Sequence, residues 1–423
     1  MSDDRGLWAR TAPPAPDTAP LDGAARADVA VIGAGYTGLA AALYLAEAGA
    51  CVAVLEAGAI GAGGSGRNVG LVNAGLWMAP DDIEAALGPE YGPRLVAALG
   101  DGPAEVRALA ERHGMACELR MAGTLHCAAG RAGSGALRER AAQWQARGAP
   151  VRLLDADETA RRTGTGRYHG ALLDARAGTI QPLGYARGLA QAALAAGARV
   201  FTQSPVRDAD HAEGAWRLAT PGGTVTADRL IVATNAYSTG PWSALRGEVT
   251  HLPYFNFATA PLSDNLRRTI LPGGEGAWTT RKILTSFRMD AAGRLVIGSV
   301  GALAGTGAPV HRHWARRTLR LLFPQLADEP FEEGWYGMIG MTDDAMPRLH
   351  RLGPGAVAAC GYNGRGIAPG TVFGRLLAQW MLGEIGADDL PLPLSPVRPA
   401  RARALREAGI SAGAQLYHLV ERP

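Results

Sequence analysis

The sequence predicts an α/β fold with two domains, one around a parallel sheet and the other an α+β domain around a mostly antiparallel sheet. Residues 27–56 show the order strand, glycine turn, helix, strand, which is typical of parallel sheets. Residues 356–382 repeat the order strand, glycine turn, helix. Between them, residues 241–300 form strand-like runs rich in aromatic residues, Thr and Arg, which favours an antiparallel sheet.

The first unit carries a dinucleotide-binding pattern. Gly33, Gly35 and Gly38 form GxGxxG between an apolar strand and a helix, and Glu56 ends the next strand. The first glycine permits the tight turn, the second lets backbone approach a pyrophosphate, and the third lets the helix pack on the strand. Free N–H groups at the helix N-terminus favour phosphate, and Glu56 can accept hydrogen bonds from a ribose diol. The unit therefore predicts a Rossmann-type dinucleotide site.

Two further glycine-rich segments are expected to meet the same ligand. Residues 57–75 contain too many glycines for a regular helix, and they follow Glu56 directly. Residues 361–366 (GYNGRG) join an apolar strand to an apolar helix, so they present a second helix N-terminus. A site closed by both ends of the chain implies a cofactor domain that is discontinuous in sequence.

The remaining elements follow from the spacing of apolar residues. In chain order we predict helices within residues 81–112, a strand-like stretch at 117–128, a helix at 136–147, a strand and a short helix at 151–162, a helix at 183–196, strands at 199–206, a hairpin at 216–226, a strand at 229–233, strands at 249–260, 283–289 and 295–298, a helix at 312–326 and a strand at 331–341. Residues 1–26, rich in Pro and Ala, are predicted to form an extended or partly ordered arm, in which Trp8 is either an anchor or an exposed aromatic residue.

These elements divide the chain into two predicted domains with terminal extensions, as expected for 423 residues. The cofactor domain comprises residues 28–80, 151–240 and 342–395. The substrate-binding domain comprises residues 81–150 and 241–341. Residues 1–27 form an N-terminal arm, and residues 396–423 form a C-terminal tail.

Composition argues against several classes of function. The net charge is +3 with both signs dispersed along the chain, so no nucleic-acid-binding surface is predicted. The four cysteines are scattered without a CxxC pair, which argues against disulfides or a metal site and favours a cytoplasmic protein. We find no apolar leader segment and no membrane-spanning stretch. His311 and His313 are expected at the surface.

The ordered motifs resemble a known family. They are VIGAGYTGLAAALYLAEAG at 31–49, GAGGSGRNVG at 61–70, YHGALLDARAGTIQPL at 168–183, IVATNAY at 231–237, FRMDAAGRLVIG at 287–298, DAMPRLHRL at 344–352 and GYNGRGIAPGTVFGRLLAQWMLG at 361–383. Over residues 8–395 the chain is similar to the D-amino-acid oxidase (DAO) superfamily of flavoproteins. It is most similar to the γ-glutamylputrescine oxidoreductase-like branch.

The resemblance implies a two-domain flavoprotein fold that binds FAD. It places the three glycines of the first turn at the pyrophosphate, Glu56 at the adenosine ribose, residues 65–68 beside the flavin, Val206 near the adenine and residues 364–367 at the pyrimidine edge of the isoalloxazine. The residues expected to contact FAD are Gly33, Gly35, Tyr36, Thr37, Gly38, Glu56, Ala57, Ser65, Gly66, Arg67, Asn68, Val69, Val206, Ala233, Asn235, Gly361, Asn363, Gly364, Arg365, Gly366 and Ile367.

Three departures from the family pattern bear on the chemistry. Relatives with covalent flavin use a Cys before the DxxP segment or a His after the glycine loop. Residues 337–344 and 71–78 contain neither, so we expect non-covalent FAD. Sarcosine-oxidase-like enzymes carry a Lys, associated with oxygen activation, where this chain has Ala368, so either O₂ or another electron acceptor is compatible. Val69 replaces a glycine that is usual in the family, and we expect its side chain to narrow the substrate space.

The reaction implied by the resemblance is oxidation of a C–H bond beside an amine nitrogen. Hydride passes to flavin N5, and water hydrolyses the resulting imine. The amine must be neutral to react, which desolvation favours without a dedicated base. We therefore expect an oxidase or dehydrogenase that acts on a small amine or amino acid.

Candidate substrate-side residues come from the second domain and from the loops facing the flavin. The catalytic candidates are Arg365, expected over the flavin, Tyr336 at the end of a strand, and Arg288, or alternatively Arg281, as partner of a substrate carboxylate. The predicted substrate pocket consists of His251, Tyr254, Phe255, Phe257 and Trp335, and the two phenylalanines share one face of a strand. For each residue the alternative is a structural role in an ion pair or in the core.

Three other functions are compatible with the sequence. The same superfamily supplies a module that acts on modified tRNA, although this chain has no basic stripe for RNA. A flavin-binding protein without catalysis is a second alternative, and a flavin monooxygenase reduced by NAD(P)H is a third. The sequence specifies neither the substrate nor the oligomeric state.

Overall fold

The computed structural model describes residues 6–421 of the chain. The strands among them are β1 (Gly23–Ile32), β2 (Val52–Leu55), β3 (Leu71–Val72), β4 (Thr124–Cys127), β5 (Val151–Leu154), β6 (Ala171–Asp174), β7 (Gly178–Thr179), β8 (Arg199–Phe201), β9 (Asp208–Ala212), β10 (Ala215–Thr220), β11 (Gly223–Val232), β12 (Thr250–Pro261), β13 (Gly276–Thr279), β14 (Thr285–Met289), β15 (Arg294–Val300), β16 (Phe331–Met341), β17 (Arg348–Gly353), β18 (Ala356–Cys360) and β19 (Leu394–Ser395). The helices are α1 (Leu7–Thr11), α2 (Tyr36–Glu47), α3 (Pro80–Gly100), α4 (Gly102–Arg112), α5 (Arg131–Ala146), α6 (Ala156–Thr163), α7 (Pro182–Ala195), α8 (Ser243–Glu248), α9 (Asp264–Arg267), α10 (Gly307–Leu322), α11 (Ile367–Leu382) and α12 (Arg403–Val420).

The first sheet is parallel at its centre. Its order is β19-β17-β18-β11-β1-β2-β8, and β10 and β9 extend it antiparallel from β11. Strand β1 lies between β2 and β11, with Ile32 opposite both Leu55 and Val232. Because β18 is also parallel to β11, the carboxyl ends of β1, β2, β11 and β18 share one edge of the sheet. This arrangement confirms the discontinuous Rossmann-type sheet predicted from the glycine turns.

Helix α2 packs in the centre of this layer because its residues are small or apolar. Its buried residues include Leu39, Leu43 and Leu45. Helix α11 approaches it closely, since a Cβ added at Gly374 would lie 2.7 Å from the Cβ of Ala40. Glycine at the contact permits this close approach. The N-termini of α2 and α11 therefore lie side by side at the edge where the parallel strands end.

The second sheet has the order β16-β12-β15-β14-β13-β4-β6-β5 and is mostly antiparallel, as predicted, with a parallel β13–β4 pair. Helix α10 covers one face, where Trp314 joins Phe255 and Phe287 in an apolar core. The other face meets the first domain. There Asn256 of β12 and Trp335 of β16 both donate hydrogen bonds to the Arg67 carbonyl, at 3.3 and 3.0 Å.

The predicted domain boundary at residue 151 disagrees with the strand pairing. Strand β5 pairs with β6, and β6 pairs with β4, so both belong to the second sheet. Short apolar runs predict strands, but their periodicity does not specify the pairing partner. We therefore place residues 151–174 with the second sheet, and the other domain limits stay predictions.

Both predicted terminal extensions contain regular elements. Strand β1 begins inside the predicted arm because its first residues pair in register with β11, Gly23 opposite Gly223. Helix α1 buries Trp8 completely, so this residue anchors the arm. Helix α12 occupies most of the predicted tail and packs on α10 and β12. The remaining parts of these predictions, residues 1–5 and 422–423, lie outside the described residues.

Helix α12 also explains one wrong surface prediction. His311 of α10 is 1% exposed because α12 covers it, whereas His313 is exposed as expected. A local pattern on α10 could not reveal a distant covering helix. None of the helices within residues 6–421 combines the length and the apolar character that crossing a bilayer requires.

Candidate functional site

The first glycine turn lies at the carboxyl end of β1 and has a shape that requires glycine. Gly33 has φ +102°, which L side chains rarely adopt. A Cβ at Gly38 would lie 2.0 Å from the Gly33 carbonyl oxygen, so α2 packs on the turn only without a side chain there. Gly35 is the N-cap of α2 and supplies no side-chain cap. The dipole of α2 favours an anion at this end of the helix.

Glu56 follows β2 at the same edge of the sheet. One carboxylate oxygen accepts the Ala34 N–H at 2.7 Å, and the other accepts the Gly58 N–H at 2.8 Å. Burial raises the pKa of Glu56, and the N–H groups of Ala34, Gly58 and Ala57 act against that rise. With three N–H donors on its four lone pairs, the carboxylate keeps one lone pair for a further donor such as a ribose hydroxyl.

The loop after Glu56 is tied to α2 by hydrogen bonds. Ser65 Oγ accepts the Tyr36 N–H at 3.2 Å, and the Tyr36 hydroxyl donates to the Ser65 carbonyl at 2.5 Å. Asn68 Nδ2 donates to the Tyr36 hydroxyl at 3.0 Å. A Cβ at Gly35 would lie 2.9 Å from Ser65 Oγ. The loop therefore stands directly over the N-terminus of α2.

Two tryptophans hold the next part of this loop. The indole N–H of Trp335 donates to the Arg67 carbonyl at 3.0 Å, and that of Trp8 donates to the Asn68 carbonyl at 2.8 Å. Val69 packs against the apolar cluster that contains both tryptophans. Its side chain is therefore used in this packing, and its effect on the substrate space stays a prediction.

The ends of β11 and β8 add three further predicted residues. The Ala233 N–H donates to the Ile32 carbonyl at 2.9 Å, beside the first glycine turn. Asn235 Oδ1 accepts the Gly361 N–H at 2.9 Å, which joins the end of β11 to the third glycine segment. Val206 follows β8 and packs against an apolar cluster of the first sheet.

The third glycine segment brings the N-terminus of α11 to the same edge. The Tyr362 hydroxyl lies 2.7 Å from the Thr37 hydroxyl of α2. Asn363, at φ +52°, accepts the Thr342 N–H at 2.8 Å and so fixes the turn. Gly366 is the N-cap of α11 and supplies no side-chain cap. The three glycine-rich segments thus converge at the carboxyl ends of the parallel strands.

A cavity of about 30 Å³ adjoins the third glycine segment, and its wall combines both domains. It is lined by Asn73, Ala74, Thr124, His126, Arg140, Trp144, Leu172, Asp174, Trp278 and Arg365. The guanidinium carbon of Arg365 lies 5.2 Å from the ring centre of Trp77 and 5.0 Å from that of Trp278. Arg365 also donates to the Ala74 carbonyl at 2.6 Å. Two indole rings and a carbonyl therefore hold a cation in the wall.

Three buried polar atoms of this wall have no hydrogen-bond partner among the described residues. They are Arg365 Nε, Trp278 Nε1 and His126 Nδ1. Arg365 is 7% exposed and Trp278 is 5% exposed. Because buried polar groups in proteins are nearly always paired, these three atoms are available to hydrogen-bond a molecule that enters the cavity.

The cavity wall is cationic. Arg140 donates to the carbonyls of Leu76, at 3.3 Å, and of Trp77. Burial, with the neighbouring Arg140, lowers the pKa of Arg365 to about 9, so it stays cationic at neutral pH. Asp174, the acidic residue of the lining, is bonded by Arg176 at 2.7 Å. The arrangement therefore suits an anionic ligand such as a carboxylate.

Histidine 126 contributes no charge to this wall. Burial, with Arg140 and Arg365 nearby, lowers the pKa of His126 well below its ordinary value, so the ring is neutral at pH 7. The ring stacks on Trp278 with 3.4 Å between ring centres. Its orphaned Nδ1 is thus a neutral group that can donate or accept a hydrogen bond, depending on the tautomer.

Arg288 and Arg281 have the structural roles that we considered as their alternatives. The Arg288 guanidinium donates to the backbone carbonyls of Gly70 at 3.2 Å, Met289 at 3.1 Å and Ile180. Arg281 forms an ion pair with Glu421 beyond α12. Neither residue lines the cavity, so the prediction that Arg288 binds a substrate carboxylate is wrong for this cavity.

Strand register explains the position of three other candidates. Phe255 of β12 and Tyr336 of β16 are directly opposite each other, and both pack in the core with α10, as does Phe257. The two phenylalanines share a face as predicted, but this face points away from the cavity. Alternation along a strand fixes which residues share a face and leaves open which face meets the site. Tyr336 is therefore not placed to act on a ligand in the cavity.

The other predicted pocket residues are occupied in hydrogen bonds. His251 Nε2 bonds the Ala236 carbonyl at 2.7 Å. The Tyr254 hydroxyl lies 2.6 Å from Ser286 Oγ. Trp335 uses its indole N–H as described above. None of these three described residues lines the cavity, although Trp335 lies on the sheet face that meets the first domain.

Sequence reasoning missed His126, Arg140 and Trp278. His126 and Trp278 are partners in the parallel β4–β13 pair, so the fold brings together two residues far apart in the sequence. Arg140 lies on α5. From sequence, an arginine on an amphipathic helix is expected to face solvent. One pattern in the sequence could have indicated this wall. Thr124 and His126 are polar residues two positions apart in an otherwise apolar strand, so they share one face of it.

The whole chain was compared with known families and proteins. Residues 28–380 match the family described as FAD dependent oxidoreductase (DAO). The chain belongs to this DAO family. It is 34% identical to "Gamma-glutamylputrescine oxidoreductase" of Escherichia coli (strain K12), over 93% of each chain. It is 32% identical to "Probable oxidoreductase OrdL" of Rhizobium meliloti (strain 1021), over 95% of this chain and 94% of that protein.

A solved structure shows the same DAO-family fold. Glycine oxidase from Geobacillus kaustophilus aligns with a TM-score of 0.72 and 22% identity, over 88% of this chain and 99% of that chain. The described residues fit the FAD of the family. The first glycine turn has no room for Cβ atoms, α2 and α11 both begin after a glycine N-cap, and the carboxylate of Glu56 lies at the same sheet edge.

Proposed function

We propose that this DAO-family chain oxidises the carbon–nitrogen bond of an amine or amino acid that carries a carboxylate. The name of the Escherichia coli relative, gamma-glutamylputrescine oxidoreductase, supports an amine substrate. The observation that carries the proposal is the group of orphaned polar atoms in the cationic cavity beside the third glycine segment. A carboxylate supplies the acceptors that Arg365 and Trp278 lack.

We propose that FAD lies along the shared edge of the parallel strands. The support is the N-terminus of α2 with its glycine N-cap beside Gly33 and Gly38, for the pyrophosphate, and the carboxylate of Glu56 at the same edge, for a ribose. The further residues proposed near FAD are Gly35, Tyr36, Thr37, Ala57, Ser65, Gly66, Arg67, Asn68, Val206, Ala233, Asn235, Gly361, Asn363, Gly364, Gly366 and Ile367.

The chain's own residues would orient the substrate. Bound FAD supplies the acceptor for the hydride removed from the carbon beside the amine. Arg365 Nε and Trp278 Nε1 donate to the substrate carboxylate and thereby fix the position of the amine end. The cations Arg365 and Arg140 in the cavity wall disfavour a nearby ammonium group, so the wall favours the neutral, reactive amine.

The test is anaerobic reduction of the purified holoenzyme by a panel of amines and amino acids. We expect loss of the visible flavin absorbance at low concentrations of amines that carry a carboxylate, and only at much higher concentrations of the same compounds as methyl esters. Admission of air then identifies the acceptor, because rapid re-oxidation with peroxide marks an oxidase and slow re-oxidation marks a dehydrogenase. Reduction by NAD(P)H but by no amine would contradict the proposal and favour a monooxygenase.

We further propose that FAD is held non-covalently and that the chain works in the cytoplasm. All four cysteines are free thiols, which suits a reducing compartment. Residues 71–78 and 337–344 contain neither the His nor the Cys that would attach flavin. Acid precipitation should therefore release all flavin into the supernatant. Flavin that remains in the washed pellet would contradict non-covalent binding.

A further inference from the structure

The outer face of α12 is an apolar stripe. Six large apolar side chains are exposed among the described residues, and four belong to this helix: Leu405 at 75%, Leu416 at 61%, Leu419 at 55% and Val420 at 68%. Residues 408–420 contain no Asp, Glu, Lys or Arg. A helix at a free surface normally carries charged residues on its outer side, so this stripe indicates an interaction surface.

The helix that carries the stripe is firmly attached. On its inner face His418 is buried, and its Nδ1 lies 2.8 Å from Nδ1 of His311 on α10. Arg246 bonds Glu407 at 2.7 Å near the start of the helix, and Arg317 donates to the His418 carbonyl at 2.5 Å near its end. The stripe is therefore presented on a fixed helix and cannot fold back onto its own domain.

We propose that a second copy of this chain covers the stripe, with the two α12 helices antiparallel about a twofold axis at Ala412. Five residues of the stripe, Leu405, Ala408, Ala412, Leu416 and Leu419, are spaced by 3, 4, 4 and 3 positions, which is symmetric about Ala412. Val420, the remaining large residue of the stripe, would face Ala404 of the second copy. In an antiparallel pair, Leu405 faces Leu419 of the second copy, and Ala408 faces Leu416. An interface between identical copies about a twofold axis requires a surface that matches itself in this way.

Side-chain size favours the same arrangement. Leu416 of each copy faces Ala408 of the other. The large leucine side chain therefore fills the space above the small alanine in two symmetric contacts. Gly409 and Gly413 lie next to the stripe, are exposed, and leave room for close approach of the two backbones. The central part of the pair is thus narrow and self-complementary.

Charge at the helix ends also favours an antiparallel second copy. Arg401, Arg403 and Arg406 lie at the start of α12, and its first turn contains no acidic residue. Basic residues are unfavourable near the positive end of their own helix dipole and favourable near the negative end of another. An antiparallel second copy places these arginines near the C-terminal, negative end of the other α12 helix.

The expected dimer is reversible. With 18 residues, α12 is about 27 Å long at a rise of about 1.5 Å per residue. One pair of helices of this length buries less than the roughly 800 Å² per partner of a standard interface. We therefore expect a dimer whose population rises with protein concentration.

Sedimentation velocity of the full-length holoenzyme over a range of concentrations tests the proposal. We expect a shift from monomer to dimer as the concentration rises, which Leu416→Glu abolishes. Leu153→Glu is the matched control, because Leu153 is 40% exposed on β5, away from α12. Bound flavin and the thermal midpoint are measured in both variants to show an intact fold. A monomer at every concentration, or a dimer that survives Leu416→Glu, would overturn the proposal.

Cysteine crosslinking tests the position of the axis. In a Cys51→Ser background, which removes the exposed thiol, Ala412→Cys should give a disulfide-linked dimer. Ala408→Cys should not form this disulfide. The two copies of residue 408 would lie about 12 Å apart along the helices, and the Cα atoms of a disulfide lie within about 7 Å. The reverse result would overturn the register. A monomer that co-sediments with anionic lipid vesicles would overturn the proposal in favour of a lipid surface.

Discussion

The hydroxyl group of Thr37 lies 2.7 Å from the hydroxyl group of Tyr362. Thr37 is in the first turn of α2, and Tyr362 is in the loop that leads to α11. Both side chains are buried, at 4% and 7% exposure. One hydrogen bond thus fixes two helix N-termini, from opposite ends of the chain, at the edge where we propose that FAD binds.

Replacing Tyr362 with Phe should weaken both folding and FAD retention. The change removes one hydroxyl and leaves that of Thr37 buried without this partner, which costs about 1–3 kcal/mol. We expect a lower midpoint of urea unfolding and faster loss of flavin on dilution. Tyr91→Phe, where the tyrosine ring lies near Arg94, is the control and should change neither. If Tyr362→Phe matches the wild type in both measurements, the contact does not hold the two helices.

Replacing Gly38 with Ala should disrupt the first glycine turn. The new Cβ would lie 2.0 Å from the Gly33 carbonyl oxygen, so the turn or α2 must move. We expect about 1–3 kcal/mol of destabilisation, as for other overpacked sites, together with loss of FAD. The ratio of flavin to protein absorbance measures the latter. In the control Gly247→Ala the Cβ meets nothing within 4 Å, and a normal flavin ratio is expected.

Replacing Arg365 with Lys should weaken recognition of the substrate carboxylate. Lysine keeps the charge but loses the Nε donor and the planar contact with two indole rings. Because a hydrogen bond to a charged group contributes about 1.5–3 kcal/mol, we expect KM for a carboxylate substrate to rise about ten- to a hundredfold. KM for the corresponding methyl ester should change little. Steady-state kinetics with both substrates measures this difference.

The control for Arg365→Lys lies on the same segment of the chain. Arg375→Lys changes an arginine of α11 that bonds Glu105 at 3.0 Å, outside the cavity. We expect both KM values to stay near those of the wild type. An equal rise for the carboxylate substrate and its ester in Arg365→Lys would show that Arg365 does not recognise the carboxylate.

The buried pair of His311 and His418 should make the fold sensitive to acid. Burial lowers the pKa of His311 to about 4, and burial with the nearby His311 and Arg317 lowers that of His418 to about 3. The unfolded chain binds these protons near pH 6.5, and the folded chain does so only near pH 3–4. The free energy of unfolding is therefore highest above pH 6.5 and decreases as the pH falls below it.

Urea unfolding from neutral pH down to about pH 4.5 measures this dependence. Each histidine contributes a slope of about 1.4 kcal/mol per pH unit within its window. His311→Gln removes one of the two groups, so the slope should be smaller than in the wild type. His169→Gln, at an exposed position, is the control. The same slope in all three proteins would show that the pair does not govern acid sensitivity.

The three glycine-rich segments proposed to hold FAD could be predicted from sequence because their requirements are local. Gly33 is needed for its positive φ, and Gly38 is needed because a Cβ would clash there. Both requirements are evident from the residue type alone. Glu56 ends a strand whose length and apolar character are evident in the sequence. The third segment, residues 361–366, shows the same local order of strand, glycine turn and helix.

The cavity proposed to bind substrate could not be predicted because it depends on pairing between distant strands. Trp278 and His126 meet only through the β4–β13 register, and β5 and β6 joined the second sheet against our predicted boundary. Phe255 and Tyr336 lie on strands, as the sequence predicted. We expected their side chains to face a substrate, but they pack in the core with α10.

The sequence by itself determined the DAO-type fold and the glycine turns proposed to hold FAD, since turn geometry and helix N-termini are properties of short segments. Only the tertiary structure decided which side chains surround the cationic cavity around Arg365. It also decided that α12 covers His311 and exposes an apolar stripe. Those outcomes depend on which surfaces pack together, and packing partners far apart in the chain leave no local pattern.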